Sequence, residues 1–145
     1  MKYHSTNPSD RPQELLRAIQ LATSLAEHVL LVSPSTIDGL NDQLGKALPE
    51  EFAKKLFKHR QVVIPFSDTH KCTYYLSTTS TKSAFSSGVV VLPWASLHTV
   101  DWAVRTFSSS HTIFIPNEDP NSSIRGEGKD ELTQYQLSYP ESMKF

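Results

Sequence analysis

Apolar positions along the chain fall into short unbroken runs, separated by stretches in which they recur at helical spacing. The most complete unit is Gly88 to Pro116, GVVVLPWASLHTVDWAVRTFSSSHTIFIP. Val89, Val90, Val91 and Leu92 form a continuous apolar run, the pattern of a strand covered on both faces in a parallel sheet. Pro93 closes the run. Ser96 is placed to cap a helix whose apolar positions, Leu97, Val100, Ala103, Val104 and Phe107, follow three-and-four spacing. His111 to Ile115 restores a strand. A strand, helix and strand of this length suit a parallel crossover, which sets Pro93 to Thr99 at the carboxyl edge of a sheet, where open α/β sheets bind ligands.

The remaining chain reads in the same terms. Met1 to Pro8 are polar and expected to fray, although Lys2 to His4 could just make an edge strand. Asp10 is a candidate N-cap, with Pro12 in the first turn, for a helix carrying the stripe Leu15, Leu16, Ile19, Ala22, Leu25 and Ala26. His28 to Ser33 either prolongs that helix or forms a buried strand. Pro34 favours the strand, because a residue before proline avoids the helical region. Ser35 or Thr36 then caps a second helix through Ile37, Leu40, Leu44 and Ala47, and a third, Glu50 to Lys58, follows Pro49. The third ends in Lys54, Lys55, Lys58, His59 and Arg60, which read as a solvated face with cations suited to a helix C-terminus, or as an anion-binding patch.

Gln61 to Phe66 and Cys72 to Leu76 are strands, the latter placing Tyr74 and Tyr75 on opposite faces. Ser77 to Ser87 is a surface loop or a short helix around Lys82 to Phe85. Beyond Pro116 the chain turns polar and rich in Pro, Gly and charge, so residues 117–145 are expected to form a C-terminal tail, partly disordered and at best partly ordered. The fold class expected is α/β, a three-layer, doubly wound, mainly parallel sheet of Rossmann-like type, in a single domain over residues 1–116. Three strands end alike, in VSPST, IPFSD and LPWAS, which would line one edge of such a sheet with hydroxyl residues.

Composition narrows the function classes. A chain of 145 residues supports one core. A net charge of -1 leaves no general excess of cations to neutralise a phosphate backbone, so nucleic acid is not an expected partner. A lone cysteine, Cys72, excludes an internal disulfide and a cysteine zinc cluster, and reads as a small buried hydrophobe. No run approaches a membrane span, and the N-terminus lacks the apolar core of a signal peptide. A soluble cytoplasmic protein is expected, and no membrane partner. The six histidines show no metal-binding pair on one helix, and neither a metal nor a cofactor is expected.

Helix N-termini at a sheet edge offer unpaired N–H groups and the positive end of a helix dipole, so a phosphorylated, nucleotide-like ligand is the natural class. Ser33, Ser35, Thr36 and Gly39 supply one wall of that site, and Trp94, Ser96, His98 and Thr99 the other. The segments HVLLVSPSTIDGLNDQLGKAL, SSGVVVLPWASLHTVDWAV and HTIFIPNED, in this order, resemble the Rossmann-like superfamily that contains the LOG phosphoribohydrolases (lysine-decarboxylase-like) and DNA-processing protein A. Against the phosphoribohydrolase motif PGGxGTxxE this chain has PWASLHTVD: Pro93 and the acid position, Asp101, match. Trp94, Ala95 and Leu97 replace the glycines, His98 stands where threonine is expected, and Thr99 comes one place late. Ser33 to Thr36 with Gly39, Leu40 and Asn41 echo the family's first glycine motif, and Lys82 lies near its Arg-Lys pair but out of register.

The resemblance implies a nucleotide-binding fold, often a homodimer, in which the acid of the second motif acts at the glycosidic bond of a nucleoside monophosphate. Each glycine replacement adds a side chain where that family brings backbone to phosphate. Three functions therefore stand: a non-catalytic module binding a nucleotide-like or other small anionic ligand, a glycosidic-bond hydrolase with Asp101 as acid or base and His98 beside it, and an interaction or homo-oligomeric protein that has lost its ligand. For the residues themselves, Asp101 stands four before Arg105, the orientation of an intrahelical ion pair. His98 is equally a surface histidine. Trp94 and Trp102 either stack on a base or belong to the core or a dimer interface.

Overall fold

The computed structural model describes residues 1–5, 11–33, 44–81, 83–116 and 131–145. Asp10 as a cap, Ser35, Thr36, Gly39, Lys82 and the start of the tail lie outside the described residues. In chain order the elements are β1 (Lys2–His4), α1 (Arg11–Leu25), β2 (His28–Val32), α2 (Glu50–His59), β3 (Gln61–Pro65), β4 (Lys71–Ser77), β5 (Val89–Pro93), α3 (Leu97–Thr106), β6 (His111–Ile115), α4 (Glu131–Ser138) and β7 (Met143–Lys144). They build one seven-stranded sheet in the order β3-β4-β2-β5-β6-β1-β7. Every neighbouring pair is parallel except β3 and β4.

The apolar runs become the inner strands, as their patterns require. Val89 to Leu92 pairs in parallel with Val29 to Leu31 on one side and with His111 to Phe114 on the other. His28 to Val32 is thus a strand, and both it and β5 are buried between two layers of helix. On one face Val29, Leu31, Val89, Val91, Ile113 and Ile115 pack with α1 and α2. On the other, Leu30, Val32, Val90, Leu92 and Phe114 pack with α3 and α4. Alternate residues of a strand point to opposite faces, so a run apolar at every position is stable only where both faces are covered.

α3 begins as its sequence dictates. Ser96 holds an extended conformation and its Oγ accepts from the Thr99 N–H at 3.3 Å, meeting one of the orphan donors of the first turn. Removing that acceptor in Ser96→Ala should lower unfolding stability by about 1 kcal/mol in urea titration, with a loss below ~0.3 kcal/mol contradicting the cap. α2 ends at Arg60, held at φ 62 in the left-handed region, its N–H donating to the Leu56 carbonyl at 2.8 Å. This turn folds the chain straight back into β3.

Four expectations are corrected. β3 is antiparallel to β4, because only residues 66–70 connect them and a parallel partner needs a crossover of a dozen residues or more. IPFSD therefore lies at the opposite edge of the sheet from Val32–Ser33 and LPWAS. β1 is not an edge strand, since β7 pairs on its outer side. Residues 131–145, read as part of a polar tail, supply α4 and β7. Tyr135 explains this: it is 1% exposed and its ring lies 4.6 Å from that of Phe114, a large apolar anchor in an otherwise polar segment. The fourth correction, at Asp101, concerns the site.

Candidate functional site

β2 and β5 are neighbours, and the described helices beyond them, α2 and α3, lie on opposite faces of the sheet. α2 packs on the face occupied by α1, whereas α3 packs on the other. Adjacent parallel strands followed by helices on opposite faces mark the position at which open α/β sheets take ligands. Ser33 stands at the end of β2 and Pro93 to Ser96 at the end of β5.

Ser33 is buried, with its N–H donating to the Ser77 carbonyl at 2.8 Å, so its backbone is fixed by β4. Trp94 is held more tightly. Its N–H donates to the Ile115 carbonyl at 2.8 Å, and its φ of 53° lies in the left-handed region, which glycine enters without cost and a bulky residue at roughly 1–2 kcal/mol. The ring is 5% exposed within the α1-side core, with the Arg11 guanidinium 5.0 Å from its centroid. Among the described residues its indole N–H has no hydrogen-bond partner. A buried donor left unmet costs about 1–3 kcal/mol.

Arg11 opens α1, so two helix N-termini, those of α1 and α3, lie on either side of the β5 end. Sequence reasoning did not select Arg11. Its signal was a cation at the first position of a helix following a strand, and nothing local linked it to Trp94. Nearby, the buried Glu14 carboxylate accepts from the Ser5 hydroxyl and from Arg17 Nη1, the latter at 2.7 Å, which satisfies the acid at the start of α1. Ser96 and Thr99 are brought together, with their hydroxyls 3.2 Å apart, and both serve the cap of α3.

Asp101 and His98 lie elsewhere. They share one helical face, as their spacing predicts, and that face borders a shallow cavity of about 390 Å³ lined by His98, Asp101, Val104, Arg105 and Tyr139. The Tyr139 hydroxyl donates to the Asp101 carboxylate, while Arg105 Nε reaches only the Asp101 backbone carbonyl, at 3.2 Å. The expected Asp101–Arg105 ion pair is thus replaced by a tyrosine from α4's end, a partner that no helical spacing reveals. Burial, and then donation to that carboxylate, push the Tyr139 phenol above the usual tyrosine range.

No known protein-family model, curated protein or solved structure matches the chain. The site therefore rests on its geometry. The structure gathers Ser33, Trp94, Ser96 and Thr99 at one sheet edge and sets His98 and Asp101 on the α3–α4 surface. Among the described residues no three His, Cys, Asp or Glu side chains are grouped to hold a metal ion, and no helix is long and apolar enough to cross a membrane.

Proposed function

We propose that the protein is a small, doubly wound α/β module that binds a nucleotide-like or other small anionic ligand at the carboxyl edge of its sheet, without turning it over. The observation that carries this reading is the divergence of α2 and α3 from the adjacent strands β2 and β5. It is supported by the two helix N-termini beside β5, whose dipoles favour an anion, and by the unmet indole N–H of Trp94. Binding without turnover is favoured over glycosidic-bond hydrolysis because Asp101 is engaged by Tyr139 and lines a cavity with His98 instead of joining Ser33 and Trp94.

The test is thermal unfolding against nucleoside mono- and diphosphates, the parent nucleosides and inorganic phosphate. A ligand at a hundred times its Kd stabilises the native state by about 2.7 kcal/mol, a rise in Tm on the order of 5–10 °C. The two indole N–H resonances of ¹⁵N-labelled protein supply a local readout, because Trp94 and Trp102 are the only tryptophans. The Trp94 resonance should move with the ligand that raises Tm, and that of Trp102 should not. No rise in Tm with any phosphate-bearing compound removes the reading.

A further inference from the structure

We infer that a second copy of this chain pairs with the outer edge of β3, joining two sheets across a two-fold axis at Val63. Among the described residues β3 ends the sheet, and its hydrogen-bonding directions can be counted. Leu76 N–H donates to the Arg60 carbonyl at 3.0 Å and Phe66 N–H to the His70 carbonyl at 2.8 Å, so residues 60, 62, 64 and 66 face β4. By the alternation of an antiparallel ladder, Gln61, Val63 and Pro65 turn their backbone groups outward.

Proline at 65 fits this parity, since its missing N–H lies on the outer side and costs no bond to β4. An antiparallel partner centred on Val63 forms two bonds between the Val63 residues and two more from each Gln61 N–H to the opposite Pro65 carbonyl. Each Pro65 lacks the donor that would meet the opposite Gln61 carbonyl, so the seam holds these four bonds and not six. Val63 is 48% exposed and Phe66, just beyond, 52%. On the α2 side the edge continues into a cavity of about 410 Å³ lined by Leu48, Phe52, Val62 and Ile64, with Glu51 and Lys55 at its rim.

Charge identifies the occupant as a second copy. α2 carries Glu50 and Glu51 in its first turn and Lys54, Lys55, Lys58 and His59 toward its end. A two-fold axis perpendicular to the sheet sets the two α2 helices side by side and antiparallel, so each acidic start meets the partner's basic end. Such self-complementarity is what an isologous interface requires.

The test is the solution mass of the full chain by light scattering, read with amide exchange. A mass twice 16.3 kDa is expected at tens of micromolar. Val63→Lys sets two cations against each other at the axis and should weaken association about a hundredfold, with circular dichroism unchanged because the side chain is on the surface, and with Tm lowered only toward that of the dilute wild type. In the wild type, exchange at the Gln61 and Val63 amides should slow as concentration rises, while Val62 and Ile64, already bonded to β4, stay constant. A monomer at all concentrations, or a dimer in which neither Val63→Lys nor amide protection responds, overturns the inference. A monomer that gains Val63 protection only with an added extended peptide also overturns it.

Discussion

Gly88→Ala is expected to destabilise the protein by about 3–5 kcal/mol. Gly88 sits at φ +144°, a conformation L-residues rarely adopt, and an added Cβ would stand 2.2 Å from the His28 carbonyl oxygen and 3.0 Å from its carbon. Both are backbone atoms and cannot swing aside. Relief requires β5 to move, yet β5 is bonded to β2 and β6 along its length, and the Gly88 carbonyl itself accepts from the His111 N–H at 2.9 Å. With a total stability on the order of 5–15 kcal/mol, such a loss leaves a marginal or unfolded chain. Urea unfolding measures it, and a change under ~1 kcal/mol would contradict the close approach of β5 to β2.

Tyr135→Ala should cost about 3–5 kcal/mol, and Tyr135→Phe only about 1 kcal/mol. The ring is enclosed by Phe114, His4 at 5.7 Å and Tyr139 at 5.1 Å, whereas the hydroxyl lies 2.8 Å from Ser142 Oγ and donates a longer bond, 3.5 Å, to the Tyr3 carbonyl. A segment that behaved as a solvated tail would give nearly zero for both. The same contact carries a pH dependence, since His4 Nδ1 lies 2.8 Å from Ser142 Oγ. Burial, and then the nearby Lys144 cation, hold His4 below its ordinary value of 6.5. Burial and then the N-terminal ammonium do the same to His111.

The unfolded chain therefore binds protons that the native state refuses. Stability from these two groups is complete above about pH 6.5 and is lost as pH falls below it toward the folded values. Denaturant titrations at pH 7.5 and 5.5 should show lower stability at the acid value, by less in His4→Gln. Equal stability at both would exclude the effect.

The legible parts of the fold were those with a local cause. Val89 to Leu92 has no polar position for solvent, so it could only be an inner strand. Ser96 announced its helix through the hydroxyl, and Pro34 pointed to a strand for His28 to Ser33. Ambiguity arose where the cause was distant. β3 has the same proline ending as β2 and β5, and only the brevity of its link to β4 reverses it. At the site, Ser33 and Trp94 were placed correctly at strand ends, but Asp101 read as half of an ion pair because helical spacing showed Arg105 and could not show Tyr139, 38 residues away.

Residue order alone determined which segments are strands and helices over most of the described chain, and that Val89 to Leu92 is an inner strand, because burial on two faces is written into an unbroken apolar run; it left His28 to Ser33 open between strand and helix. Only tertiary structure decided that Tyr135 closes the second face, that β3 ends the sheet among the described residues, and that α2 and α3 lie on opposite faces beyond β2 and β5. Those features depend on which distant segments share a neighbour. Periodicity records the environment of a residue and not the identity of what provides it.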